Sequence, residues 1–276
     1  MNTKHVLLVV LSFGLASISF ASGSVKLIGS DFGGVIYDVD PATGTCSNPR
    51  SMGLSGVAGF TVTGDGQHAY ALTSFGSAPP NALFRVNAVT GATEFIGSTG
   101  LSLVGEGDLC IRPSDGTLFA LWNATGADLH MFTINPSSGA ATDVGIVATA
   151  TDLSGLAFAP NGSLYCFENG TRLRQLDPNN GATLNIINLT GIDPATGVAG
   201  MAFAPDGTFY IACNAGAGPS LYTADLGTGA MQRLGATIPG DGLGLSSLTV
   251  IPIPEPTSGA LLVLGMALAV CRLRKR

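Results

Sequence analysis

Short segments of alternating apolar and polar residues fill most of the chain between residues 22 and 252, and Gly, Asn, Asp or Pro interrupt them at short intervals. In one recurring segment, the residues one and three places before an Asp or Asn are mostly apolar and the residue between them is polar, as in Tyr37, Asp38 and Val39 before Asp40. A period of two is that of a strand with one buried face. The pattern predicts an all-β body.

A hairpin turn recurs five times at intervals of 42 to 48 residues. Each copy has an Asp or Asn four residues before a Gly: Asp40–Gly44, Asn87–Gly91, Asn135–Gly139, Asp177–Gly181 and Asp225–Gly229. The Asp or Asn side chain can accept a hydrogen bond from the backbone two residues on, and the Gly can take a positive φ. A period of this size indicates a propeller or a solenoid.

A second hairpin alternates with the first, and its opening strand is nearly uncharged. The copies span Gly59–Gly66, Asp108–Gly116, Gly155–Gly162 and Gly200–Gly207, and Ser247–Pro252 resembles their first strand. The Asp-Gly or Asn-Gly endings are strong hairpin signals. We expect the uncharged strand to be innermost, where small residues would let several sheets converge.

The two ends of the repeat region complement each other. Outer strands near residues 24–51 lack an inner strand before them, and the inner strand Ser247–Pro252 has no outer strands after it. Pairing the two would close a ring and remove exposed sheet edges. We predict a five-bladed β-propeller of four-stranded antiparallel blades over residues 22–252; a six-bladed ring with one degenerate blade and an open β array are the alternatives.

Phrases such as Gly155–Gly162 resemble those of the β-propeller superfamily, including secreted lactonase-like propellers. The resemblance covers nearly all of residues 24–252 and implies a fold rather than an activity. No Trp-Asp signature occurs, and the sole Trp is Trp122.

The first 21 residues have the features of a signal peptide. Lys4 and His5 precede an apolar run, and Ser19–Ala21 resembles an A-x-A cleavage site. We predict export with cleavage after Ala21, an uncleaved anchor being the alternative.

In the last 24 residues, 253–276, a Pro-Glu-Pro motif precedes an apolar run at 260–270 and a basic tip; the motif and tip residues are Pro254, Glu255, Pro256, Arg272, Arg274, Lys275 and Arg276. This arrangement closely resembles the PEP-CTERM sorting signal of Gram-negative bacteria. The resemblance implies recognition by an exosortase at the envelope. We expect a C-terminal hydrophobic helix that holds the chain, transiently or stably, in the inner membrane with its basic tip cytoplasmic; an ordinary tail anchor is the alternative.

The composition excludes several kinds of chemistry. A net charge of −6 with only 12 Lys and Arg argues against nucleic acid. None of the five cysteines lies in a CxxC pair, so nothing supports a zinc site, and buried cysteines are favoured over disulfides. No serine elbow, HExxH or P-loop occurs. His68 and His130 are expected to be surface strand residues.

One constellation of candidate ligand-binding residues lies at the loops that lead into the inner strands. Its members are Glu106, Asp108, Asp152, Asp193 and Asp241. If these carboxylates converged at a channel mouth they could hold Ca²⁺, which prefers several oxygen ligands; the alternative is a solvated acidic rim.

The leading functional hypothesis is an exported, exosortase-sorted, non-catalytic propeller. It would be a structural or binding component of the cell surface or extracellular matrix, with matrix proteins or polysaccharide as partners and no resident cofactor. The alternative is a secreted lactonase- or hydrolase-like enzyme that uses a metal in the channel.

Overall fold

The computed structural model describes residues 25–102, 105–123, 128–148, 153–168, 171–192, 196–215, 218–237 and 244–252. The predicted signal peptide and the predicted sorting segment with its hydrophobic helix lie outside these ranges. Over the described ranges, no helix has the length and apolar character needed to cross a membrane.

Within these ranges, twenty strands form five four-stranded antiparallel sheets, which are the blades. Blade 1 contains β1 (Val25–Ser30), β2 (Val35–Val39), β3 (Cys46–Ser51) and β20 (Ser247–Pro252). Blade 2 contains β4 (Val57–Val62), β5 (His68–Thr73), β6 (Ala82–Asn87) and β7 (Thr93–Ser98). Blade 3 contains β8 (Glu106–Ile111), β9 (Leu118–Asn123), β10 (Leu129–Ile134) and β11 (Ala141–Ala148). Blade 4 contains β12 (Leu153–Phe158), β13 (Leu164–Glu168), β14 (Arg172–Leu176) and β15 (Thr183–Asn188). Blade 5 contains β16 (Thr196–Phe203), β17 (Phe209–Ala215), β18 (Gly218–Ala224) and β19 (Met231–Ala236).

The predicted inner strands are β20, β4, β8, β12 and β16, and each is the first strand of its blade in space. Each contacts the inner strand of the next blade, from β4 through β8, β12, β16 and β20 back to β4. The five inner strands therefore surround one axis, and the prediction that they converge is confirmed.

The ring closes between the two ends of the described chain. β20 pairs antiparallel with β1 over six residue pairs, from Val25 opposite Pro252 to Ser30 opposite Ser247. The five-bladed prediction is confirmed, and the six-bladed ring and the open array are excluded.

The connections separate onto two faces of the propeller. The turns between first and second strands and between third and fourth strands lie on one face, here called the turn face. The remaining connections, including those between blades, lie on the opposite linker face. β20 runs toward the turn face and β1 begins there.

Asp and Asn side chains hold the repeated turns as predicted. The Oδ1 atoms of Asp40, Asn87, Asn135 and Asp177 accept a hydrogen bond from the backbone N–H two residues on, at 2.8 to 3.0 Å. In the fifth copy Leu226 follows the Asp, where the other copies have Pro or Ala, and Asp225 Oδ1 accepts instead from Thr228 N at 2.8 Å. All five closing glycines have φ between +73° and +81°.

The closing glycines also join the blades, which the repeat pattern did not reveal. A Cβ on each would lie 2.0 to 3.1 Å from a backbone oxygen of the fourth strand in the preceding blade. The pairs are Gly44 with Gly235, Gly91 with Ser51, Gly139 with Gly97, Gly181 with Gly145 and Gly229 with Asn188. No other residue type leaves room for this approach.

The apolar core lies between neighbouring blades. Five clusters of buried side chains fill the five interfaces, each with members from two adjacent blades. Phe60, Phe119, Phe167 and Phe209 are the largest fully buried side chains. Burial of apolar surface between the sheets therefore stabilises the ring as a whole.

Gly229→Ala should destabilise the protein more than Gly116→Ala. The two glycines have φ of +73° and +74°, but a Cβ at Gly229 would lie 2.0 Å from Asn188 O and one at Gly116 would meet nothing within 4 Å. The left-handed conformation costs a non-glycine residue about 1–2 kcal/mol at both sites. The clash should add about 1–3 kcal/mol at Gly229 alone. Urea denaturation measures both; equal losses would mean that the blade contact is not tight.

Candidate functional site

The five inner strands carry equivalent residues at one aligned position, here called the axial layer: Gly59, Asp108, Gly155, Gly200 and Ser247. The glycines pack against the next inner strand of the ring. A Cβ on Gly59 would lie 2.8 Å from Leu109 N, one on Gly155 2.8 Å from Ala199 O, and one on Gly200 2.5 Å from Ser247 C. The two remaining members have polar side chains.

Asp108 and Ser247 form a buried hydrogen-bond network, here called the axial network. Asp108 Oδ1 accepts from Leu109 N at 2.8 Å and from the Ser247 hydroxyl at 2.7 Å, and Oδ2 accepts from Leu156 N at 3.0 Å. Ser247 Oγ accepts in turn from Phe60 N at 2.9 Å. Asp108 and Ser247 have no exposed surface. The network joins β4, β8, β12 and β20.

The environment of Asp108 is strongly desolvated. Burial raises the pKa of its carboxyl well above the usual value, and the hydrogen bonds from Ser247, Leu109 and Leu156 oppose that rise. The same burial, with the Asp108 charge adding to it, raises the pKa of the neighbouring Cys110 thiol. Neither group has the exposure expected of a nucleophile or of a general base.

Of the five carboxylates predicted to form a ligand site, the structure describes the side chain of Asp108 alone. Asp108 lies inside the axial network. Glu106 belongs to β8 opposite Asn123, but the structure does not describe its side chain, and Asp152, Asp193 and Asp241 lie outside the described residues. Convergence of the five therefore stays a prediction. Within the described ranges, no three His, Cys, Asp or Glu side chains group as a metal site.

A cavity of about 450 Å³ lies at the turn-face end of the channel. All five inner strands line it, through residues that follow the axial layer in sequence: Thr61, Val62, Leu109, Cys110, Ile111, Leu156, Ala157, Phe158, Met201, Ala202, Phe203, Leu248, Thr249 and Val250. The buried Ala204 and the exposed turn residues Gly64, Pro113, Pro160 and Pro205 complete the lining. The cavity therefore reaches solvent on the turn face.

The cavity wall is mostly apolar and partly aromatic. Phe203 is half-buried and stacks on Phe209 with ring centroids 4.1 Å apart, and Phe158 packs edge-on against Phe119 at 5.3 Å. The polar side chains of the wall are Thr61, Cys110 and Thr249, and Thr249 Oγ1 accepts from Val62 N at 3.3 Å. Such a wall suits an apolar group and offers no acid–base pair.

The four cysteines in the described ranges are free, and three of them are buried strand residues, as expected. Burial raises the thiol pKa of Cys166 and of Cys213 to about 12 and that of Cys46 to about 11. His68 and His130 are strand residues with side chains 57% and 31% exposed, and each contacts an Asp at 2.8 Å, Asp65 and Asp143 respectively.

The cavity was not predicted from the sequence, although the aligned inner strands share a pattern of apolar residues at it. The position three residues after the axial position is a large apolar residue in every copy, at Val62, Ile111, Phe158, Phe203 and Val250. The axial network has a signal too, because Asp108 and Ser247 are the two departures from glycine at one aligned position.

The fold and the repeat agree with a family defined by sequence. The chain belongs to the family described as a repeat of unknown function, DUF6923, whose profile matches residues 76–246. A comparison with curated proteins finds no match.

Solved structures share the propeller fold at low identity. A protein of unknown function from Bacteroides caccae is 15% identical with a TM-score of 0.51, and the match covers 83% of this chain and 99% of that one. Hydrazine synthase of Kuenenia stuttgartiensis is 17% identical with a TM-score of 0.48, and the match covers 73% of this chain and 61% of that one. A gluconolactonase from Xanthomonas campestris is 14% identical with a TM-score of 0.48, covering 75% and 71%. The Bacteroides caccae match, with its TM-score of 0.51, shows a shared fold alone.

Asp108→Ala should strongly destabilise the protein. The substitution leaves the N–H groups of Leu109 and Leu156 and the Ser247 hydroxyl without their acceptor in a site closed to water. The expected loss is about 3–5 kcal/mol, measured by urea denaturation. Asp143→Ala, at an exposed carboxylate, is the control and should change stability by about 0.5 kcal/mol or less. A loss at Asp108 no larger than the control would show that the axial network does not stabilise the ring.

Proposed function

We propose that this chain is an exported, non-catalytic β-propeller that binds an apolar group in its turn-face cavity, as a binding or structural component of the cell surface or extracellular matrix. The observation that carries the proposal is the lining of that cavity by apolar side chains from all five inner strands. A volume of about 450 Å³ lies within the range of small-molecule sites.

The groups near the cavity argue for binding rather than catalysis. The two Asp108 oxygens together accept three hydrogen bonds that hold the ring, and the Cys110 thiol is buried with a raised pKa. A lactonase- or hydrolase-like activity would need a polarising group at the substrate, and the described lining supplies none. The apolar wall also favours an apolar group over a polysaccharide, which would require many hydrogen bonds.

Export and sorting are proposed on sequence alone. The apolar run before Ala21 motivates secretion, and the Pro254–Pro256 motif with the basic residues 272–276 motivates processing by an exosortase. Fractionation of the native host, with intact-mass analysis of the purified protein, tests both steps. The expected mass lacks the first 21 residues and part or all of 253–276. A full-length protein in the cytoplasm would contradict this part of the proposal.

Binding at the cavity is tested with an uncharged aromatic probe, phenylbutanol, by isothermal titration calorimetry. The wild-type protein should bind it, and Ile111→Trp and Val250→Trp, which enlarge half-buried wall residues on two different strands, should each weaken binding at least about tenfold by filling the space.

Leu184→Trp is the matched control, because Leu184 is 61% exposed on the outer strand β15. It should bind like wild type. Thermal denaturation must show all three variants folded. Equal binding by all variants, or no binding by the wild type, would contradict a ligand site in this cavity.

A further inference from the structure

We propose that the turn-face cavity selects organic cations, taking an aryl or branched-alkyl group into its apolar wall and leaving an ammonium group at its acidic rim. This inference rests on the binding role proposed above and specifies the ligand class of the same site. Three features of the described residues carry it: the rim charge, the aromatic wall and the absence of a Lys or Arg paired with the rim.

The acidic rim consists of Asp65 and Asp206. They directly follow Gly64 and Pro205, which line the cavity, and both are exposed. They belong to equivalent turns after β4 and β16, on two sides of the opening.

Local hydrogen bonds keep both rim groups ionised. Asp65 accepts from the Thr63 hydroxyl at 2.6 Å, contacts the His68 ring at 2.8 Å and accepts from the N–H groups of Gln67 and His68, and these bonds hold its pKa below the usual range. The N–H of Thr208 donates to Asp206 at 2.9 Å and lowers the pKa of that carboxyl. The rim is therefore negative at any pH near neutrality.

The equivalent turn after β8 contains an Arg as well as an Asp, so the charge is not the same around the opening. After β8, Asp115 is held by the Arg112 guanidinium through bonds of 2.9 and 2.6 Å, so that turn is neutral. Within the described ranges, no Lys or Arg pairs with Asp65 or Asp206, and the charged-group contact of Asp65 is with the His68 ring at 2.8 Å. Two carboxylates beside an apolar opening are thus left to attract a positive group.

The wall adds a second preference for a cation. Phe203 is half-buried at the cavity, and Phe158 of the adjacent inner strand also lines it. The face of a phenylalanine ring attracts a cation electrostatically. An anion of the same size would meet repulsion from both the rings and the rim.

The test compares three probes with one apolar body: phenylbutylamine, phenylbutanol and phenylbutyrate. Calorimetry on the purified protein at low salt should show that the amine binds about three- to tenfold more tightly than the alcohol. The acid should bind more weakly than the alcohol. Added salt should reduce the advantage of the amine and leave the alcohol unchanged.

Variants separate the rim from the cavity. Asp65→Asn with Asp206→Asn should lower amine affinity to that of the alcohol without changing alcohol binding. Glu94→Gln with Asp143→Asn makes the same change in net charge at exposed outer-strand positions, where the side chains are 68% and 52% exposed, and should leave the order of the probes intact.

The outcomes distinguish this inference from the proposed function. If phenylbutanol binds and the amine binds no tighter, or if the control pair abolishes the preference as fully as the rim pair, cation selection is overturned while the cavity remains a binding site. If none of the three probes binds, the proposed function fails and this inference fails with it.

Discussion

Five β-sheets that meet on one axis leave the inner edge of each innermost strand without a ladder partner. Buried backbone N–H groups without an acceptor would cost a large part of the stability of a domain. Asp108 and Ser247 meet this constraint together by accepting from Phe60, Leu109 and Leu156 at the point of closest approach. The glycines at the three other equivalent positions make this approach possible, because each lets its strand pack closely against the next.

The axial network also gives the molecule its polarity along the channel. Its buried side chains fill the layer directly behind the cavity, so the described space opens toward the turn face. The turns between first and second strands surround the opening, while the closing glycines of the turns between third and fourth strands join the blades. Asp65 and Asp206 belong to the first set, where each accepts backbone hydrogen bonds within its own turn.

Most of the fold could be predicted from the sequence because every copy of the repeat has the same turn residues and the same strand pattern. The Asp or Asn four residues before each Gly predicted the turns, and the unmatched strands near Val25 and Ser247 predicted ring closure, since each lacked the partner that the other supplies. The closing glycines were expected for their backbone conformation. Their second purpose, at the contact between Gly229 and Asn188 and its four equivalents, depends on inter-blade distances that no local pattern encodes.

The axial network and the cavity could not be predicted from the sequence, because both depend on contacts between strands that are far apart in the chain. Asp108 looked like an acidic loop residue beside Glu106, and only the placement of β12 and β20 around it shows that it bonds Leu156 and Ser247. The residues of the cavity wall, such as Ile111 and Val250, looked like ordinary core positions. Whether an apolar residue faces a neighbour or an open space is decided by how five strands come together.

The pairing of β20 with β1 has a consequence for how the fold can be rearranged. Val25 and Pro252 face each other across the ladder on the turn face, so the covalent order of the blades is not what holds the ring. A short linker across those two residues, with new ends opened in an exposed turn such as that at Gly116, would give a circular permutant with every ladder retained. By the same logic, a blade-1 ladder formed between two molecules would exchange β20 between them.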